Sequence, residues 1–259
     1  MSATSRQRSR PGITFGAWLV ALLAGCTTTN TTIATPAHLR DGPPSLAVAD
    51  AALASGLDDS ALQITRSILA AHPDDGQALL RQGDILARMG QPAAAAEAYR
   101  RAHDILPHDG APLRGLGRIA LAQGRMTEAE ASFRAALAAA PDDAAARNDL
   151  GVALDLQGRH AEAQALYRTT LAGAPDDAAA QVNLGLSLSI SGHGAEGLAL
   201  LQRVAANPSA ARRVRHDLAA ALVAAGDVPA AQRILAADLS GTQVAQAISG
   251  LERLTAPAP

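Results

Sequence analysis

The chain has little of what most folded chemistry is built on. It contains one cysteine, one tryptophan, two tyrosines and two phenylalanines among 259 residues. A single cysteine excludes an internal disulfide framework and any multi-cysteine metal site. So few aromatics exclude a core built around large rings. Neither sign of charge dominates, with 22 Lys+Arg against 24 Asp+Glu. That balance excludes the basic footprint of a general nucleic-acid binder. HExxH, GxSxG and Walker sequences are all missing, and His160 has Glu162 nearby but no second ligand at metal spacing. The chain is therefore expected to be no enzyme, with no cofactor, no metal and no small-molecule substrate. What it has in excess is alanine, 63 residues. Alanine is the best helix former and is depleted in strands, so a β-sandwich or barrel is excluded and the core must come from thin, closely packed helices.

The N-terminus reads as an address. Arg6, Arg8 and Arg10 precede an apolar run from Ile13 to Ala24. That run is shorter than the roughly 20 residues a spanning helix needs, but suits a signal-peptide core. It ends in Leu23-Ala24-Gly25-Cys26, which resembles the lipobox of bacterial lipoproteins. The resemblance implies a signal peptide over 1–25, cleavage before Cys26, and lipid on that residue's sulfur and new amine. A plain secretory signal with a chance cysteine is the alternative. Thr27 follows the cysteine, which by the same resemblance favours the outer membrane, usually its periplasmic face. Residues 26–44, rich in Thr and Pro without helix or strand periodicity, read as the lipidated cysteine and a tether.

A period of 34 dominates the remainder. Gly56, Gly90, Gly124, Gly158, Gly192 and Gly226 keep it without a break. So do Gly83, Gly117, Gly151 and Gly185, and Pro73, Pro107, Pro141 and Pro175, with Pro208 one residue early. Ala61, Ala95, Ala129, Ala163 and Ala231 hold a further position, with Gly197 in the fifth place. Four residues after these come Thr65, Tyr99, Phe133, Tyr167, Leu201 and Leu235. The physical reading is a helix-turn-helix repeat. One glycine ends each first helix, the small residues let two helices approach, the large residue fills the gap between hairpins, and proline closes the second helix. The pattern resembles the tetratricopeptide repeat and implies an all-α, right-handed α-α superhelix. Six units fit over 42–245, followed by a short capping helix and loose tail over 246–259. The fifth unit is irregular, with Gly194 and Gly197 in its second helix. This predicts a bend or a loosened hairpin, or simple drift.

In such a superhelix the first helices line the concave side through positions 2, 5, 9 and 12 of each unit. Arg114 and Arg118 stand four apart on one such face, suited to a carboxylate or a backbone carbonyl. Asn148 adds a hydrogen-bonding group, and Val152, Val182 and Leu186 form an apolar stripe for an amphipathic helix or extended peptide. Ordinary solvated arginines and the fold's own packing are the alternative. Arg212, Arg213, Arg215 and His216 form a second basic cluster, with Arg213 and His216 as candidate contacts for an acidic partner or lipid headgroups. A solvated helix terminus is the plainer account.

Three runs carry a finer resemblance: Asn148-Asp149-Leu150-Gly151-Val152-Ala153-Leu154-Asp155, Asn183 to Leu188 followed by Ser191-Gly192, and Arg213-Val214-Arg215-His216-Asp217-Leu218-Ala219. With the lipobox and tether, the chain resembles the TadD family, the tetratricopeptide lipoproteins of the tight-adherence (Flp-type) pilus system. The resemblance implies a non-enzymatic outer-membrane scaffold whose partners are the secretin or other pilus assembly components, held to the membrane through its N-terminal lipid. The alternatives are a pilotin-like lipoprotein of another pilus or secretion system, and an envelope scaffold for peptidoglycan enzymes.

Overall fold

The computed structural model describes residues 45–207 and 212–255. Cys26, the signal segment, the tether and Pro208 lie outside the described residues. Among the described residues there are thirteen α-helices and no strand. The first six are α1 (Leu46–Ala54), α2 (Asp58–Ala71), α3 (Gly76–Arg88), α4 (Pro92–Ile105), α5 (Gly110–Ala122) and α6 (Met126–Ala139). The rest are α7 (Ala144–Leu156), α8 (His160–Gly173), α9 (Ala178–Ile190), α10 (Gly194–Ala205), α11 (Arg212–Ala224), α12 (Val228–Leu235) and α13 (Gly241–Thr255). They fall into two compact units, residues 45–153 and 154–255, with the boundary inside α7.

The 34-residue signals act locally. All six periodic glycines from Gly56 to Gly226 take positive φ, between 71° and 93°, and no other residue type does among the described residues. Each follows a first helix and closes a Schellman motif. At Gly90, for example, its own N–H donates to Ala87 O, and the Gln91 N–H donates back to Leu86 O. A side chain would be strained in that left-handed backbone. At the other end, Asp75, Asp109, Asp143 and Asp177 cap the next first helix. Their Oδ1 atoms accept from the N–H groups of Ala78, Ala111, Ala145 and Ala180, each at 2.9 Å. These carboxylates satisfy free helix N–H groups and favour the positive end of the helix dipole.

In the unit over 45–153, aromatic wedges meet glycine. A Cβ on Gly117 would lie 2.5 Å from the Phe133 ring, and one on Gly83 would lie 2.5 Å from the Tyr99 ring. Gly115 leaves the same room on the other side of Tyr99. Both rings are therefore buried, and burial of a ring of this size contributes about 1.5–3 kcal/mol. Leu62, Leu79, Ile85, Leu86 and Ile119 extend that core around Tyr99.

In the unit over 154–255 the wedge residues become Leu201 and Leu235, packed with Leu218, Leu222, Val244 and Ile248. The second helices shorten here, to 12 residues in α10 and 8 in α12, against 14 in α2, α4, α6 and α8. Gly197 in α10 is not drift. A Cβ there would collide with Gly185 O and Ser189 Oγ, so α9 and α10 cross too closely for the alanine used elsewhere. The last helix starts at Gly241, earlier than the residue 246 expected from sequence. Ser240 marks that start: its N–H and Oγ both donate to Gln243 Oε1 at 3.0 Å, and its carbonyl accepts from the Val244 N–H at 2.8 Å.

Candidate partner-binding site

The eight sequence-predicted contact residues divide between the two units. Arg114, Arg118, Asn148 and Val152 belong to the first, and Val182, Leu186, Arg213 and His216 to the second.

In the first unit, α5 presents Arg114 and Arg118, and α7 faces them with acidic residues. Arg114 Nε lies 3.8 Å from Asp143 Oδ2, an intrachain ion pair at the long end of the range. Asp149 on α7 is half-buried. Burial pushes its carboxyl up, an effect opposed by the charges of Arg118 and Arg114 and reinforced by Asp143. Arg118 is exposed and forms no ion pair among the described residues. A further charged line runs along α1 and α3. Arg81 Nε meets Asp50 Oδ1 at 2.6 Å, and the Tyr99 hydroxyl donates to Asp84 Oδ1 at 2.9 Å. Burial and Asp84 push the Tyr99 phenol well above its ordinary range. This surface therefore alternates in sign, with acids at Asp50 and Asp84, bases at Arg114 and Arg118, and acids again at Asp143 and Asp149. Asn148 and Val152 are half-buried beside it. Of the arginines predicted as contacts, Arg118 alone has no ion pair among the described residues.

Several expected lining residues are not available. Val182 is 7% exposed and packs in one core with Leu218 and Leu222, and Leu186 leans on the same core. Leu80, Leu121 and Val223 are also buried. The apolar stripe of that sequence reading is thus corrected: Leu80, Leu121, Val182 and Val223 are drawn into the packing between neighbouring helices, while Ala87 at the same repeat position as Leu121 stays exposed.

The basic cluster of α11 is corrected as well. Arg215 grips Asp238 with two bonds, Nε to Oδ2 at 2.8 Å and Nη2 to Oδ1 at 2.5 Å. The guanidinium holds the Asp238 carboxyl below its usual range. His216 Nε2 is buried without a hydrogen bond among the described residues, 3.8 Å from Asp238 Oδ2, and burial lowers its pKa. Arg213 is exposed and 4.0 Å from Asp217 Oδ2. Asp217 is itself buried, which raises its carboxyl pKa to about 6. Most of this cluster therefore clasps α11 to the connection after α12, and only the heads of Arg212 and Arg213 stand exposed. Sequence reading missed Asp238 because the pairing spans 23 residues. No local spacing marks it.

One charged group, Asp155 on α7, is half-buried at a position where most other repeats are apolar. Asp155 Oδ1 accepts from Ser187 Oγ at 2.7 Å and meets His160 Nδ1 at 2.8 Å, while Oδ2 accepts from the Tyr167 hydroxyl at 3.0 Å. The serine donates to the carboxylate rather than to the imidazole, and it is buried. The trio therefore does not form a nucleophile–base relay. It ties α7, α8 and α9 together. Burial raises the Asp155 carboxyl, opposed by the bonds from His160, Ser187 and Tyr167. No group of three or more metal-ligating side chains occurs among the described residues.

Paired helices in a 34-residue period, wedge residues between them and a mixed-charge outer face define a helical-hairpin repeat protein of the kind that binds other proteins. The tetratricopeptide repeat profile matches residues 46–110, 114–178 and 157–211. The chain belongs to the tetratricopeptide repeat family, an all-α superhelical repeat class whose members mediate protein–protein interactions. No curated protein matches it. Among solved structures it is similar to a tetratricopeptide repeat protein from Parabacteroides merdae, at 16% identity and TM-score 0.65, over 83% of this chain and 86% of that one. It is likewise similar to Pseudomonas aeruginosa pilF, at 16% identity and TM-score 0.64, over 82% and 97%. YrrB, a repeat protein described as having an unusual peptide-binding site, aligns at 16% identity and TM-score 0.50 over 74% and 95%. At these identities the likeness is one of fold.

Proposed function

We propose that this protein is a lipid-anchored scaffold of the outer membrane that assists assembly of the secretin apparatus of a tight-adherence (Flp-type) pilus. The observation that carries its binding role is Arg118, exposed and without an ion pair among the described residues, one turn from Arg114 on α5. An incoming carboxylate meets charge-assisted donors there. The pilus assignment is supported by the sequence runs at Asn148, Asn183 and Arg213, and the anchor by Cys26 directly after a signal-like apolar segment. Lipid would supply about 0.8 kcal/mol of membrane affinity per buried CH2, and more than one chain makes attachment durable.

The deciding experiment is co-purification of the tagged protein from membranes. Recovery of a secretin or pilus components is expected. Recovery of peptidoglycan enzymes without them would replace this reading with the cell-wall scaffold. Cys26→Ala should release the protein from the outer-membrane fraction or leave it unprocessed, and normal fractionation of that variant removes the anchor. The double change Arg114→Glu with Arg118→Glu should weaken partner recovery while helicity is kept.

A further inference from the structure

The outer face of α10 carries a charge pattern that complements itself. Between α8, α9 and α10 lies an open groove of about 440 Å3, lined by Leu171, Leu184, Leu188 and Leu200. Glu196, Ala199, Leu200 and Arg203 follow the i, i+3, i+4, i+7 spacing, which places them on one face of α10. Glu196, Ala199 and Arg203 are exposed, and Leu200 is half-buried at the groove wall.

The two charges have no ion-pair partners among the described residues, and the reason can be read from the repeat. In the two preceding hairpins the acid at this position is held by an arginine three residues earlier, Arg125 with Glu128 and Arg159 with Glu162. One period further on, that arginine is replaced by His193, and Glu196 is left open. At the other end Arg203 stands where the preceding hairpin has Thr169. Acid and base are seven residues apart, two helical turns or roughly 10 Å. The midpoint of the pair falls between Ala199 and Leu200.

This symmetry selects the occupant. A second α10 running antiparallel about a two-fold axis at Ala199 sets each Glu196 against the other's Arg203. Alanine at the crossing permits helix axes about 8–10 Å apart. We propose that the chain self-associates through this isologous contact, with each Leu200 seated at the leucine groove of its partner. Any other helix would need an acid and a base in the same order at the same spacing, and α10 already has both. The inference rests on the groove and the charges alone and is independent of the pilus reading.

Sedimentation velocity on the full chain carrying Cys26→Ser tests it. Concentration-dependent dimerisation that weakens with added salt is expected, because the paired charges are exposed. Glu196→Arg alone sets like charges opposite one another, and so does Arg203→Glu alone. Each should weaken the dimer by roughly tenfold. The double reversal Glu196→Arg with Arg203→Glu should restore it. Circular dichroism of all three checks that they are folded. Ala199→Cys in the same background is the chain's only thiol and should form a disulfide dimer under mild oxidation, whereas exposed Ala138→Cys on α6 should not. A chain that stays monomeric at every concentration overturns the proposal. So does a dimer indifferent to the single reversals, or one that the double reversal leaves broken.

Discussion

The two compact units share one repeat period but hold it differently. In residues 45–153 the wedge between hairpins, after Thr65 in the first, is aromatic, Tyr99 or Phe133, and glycine makes room for each ring. Its second helices run 14 residues each. In residues 154–255 the wedge becomes aliphatic beyond Tyr167, two second helices are shorter, and more polar side chains are buried, namely Gln164, Thr170, Ser187 and Asp217 against Thr65 and Glu130 in the first unit. The comparison teaches that a repeat position specifies the volume to be filled rather than a residue. Where the filling side chain shrinks from a ring to Leu201, the helices close up, as at Gly197. In the second unit Asp217 is buried with its carboxyl pKa raised to about 6, so that unit's stability should respond to pH.

The largest effect should come from removing an aromatic wedge. Phe133→Ala leaves a void between the hairpins of the first unit and should cost about 3–5 kcal/mol, seen as a lowered urea midpoint. Leu201→Ala, the counterpart in the second unit, should fall at the lower end of about 2–5 kcal/mol. Equal losses would erase the distinction between the units.

Asp217→Asn should act in the opposite direction. The folded pKa of about 6 exceeds the unfolded value of 3.8, so the ionised carboxylate is disfavoured in the fold. Native stability is therefore fully present below the unfolded pKa and declines as pH rises from about 4 to 6. Asparagine should raise stability at pH 7.5 by up to about 3 kcal/mol and leave it unchanged near pH 3.5. A gain that is independent of pH would show that the carboxylate is not the strained group.

A smaller effect is expected at the close crossing of α9 and α10. Gly197→Ala should destabilise by about 1–3 kcal/mol through overpacking, although alanine occupies the same place in the other five repeats. A neutral or stabilising outcome would mean that the fifth hairpin can open to ordinary spacing. Smallest is Gly124→Ala, which forces a side chain into a positive φ without any contact clash. It should cost about 1 kcal/mol, and thermal melting of the two variants separates backbone strain from packing strain.

Much of the fold was legible because its signals are local. Each Schellman glycine and each capping aspartate acts within five residues, so the 34-residue period exposes it directly. The small-against-large pairing of Gly117 with Phe133 was legible too, since both positions recur. The candidate site was only half legible. Arg114 and Arg118 show as a pair on one face, but Asp143 and Asp149, which answer them from the next hairpin, depend on how hairpins stack. Val182 looked like a groove residue because its position faces outward in the generic repeat, yet the packing of α11 draws it inside. Gly115, which makes room for Tyr99 from the next hairpin, was invisible for the same reason: it breaks the period rather than following it.

Sequence alone determined the repeat, the helix ends and the class of fold, because short-range hydrogen bonds and backbone conformation decide those features. Tertiary structure decided which charges are open. Arg215 is consumed by Asp238 and Asp50 by Arg81, while Arg118 has no ion pair among the described residues. An ion pair forms between groups brought within a few ångströms of each other, and only the stacking of helices sets those distances.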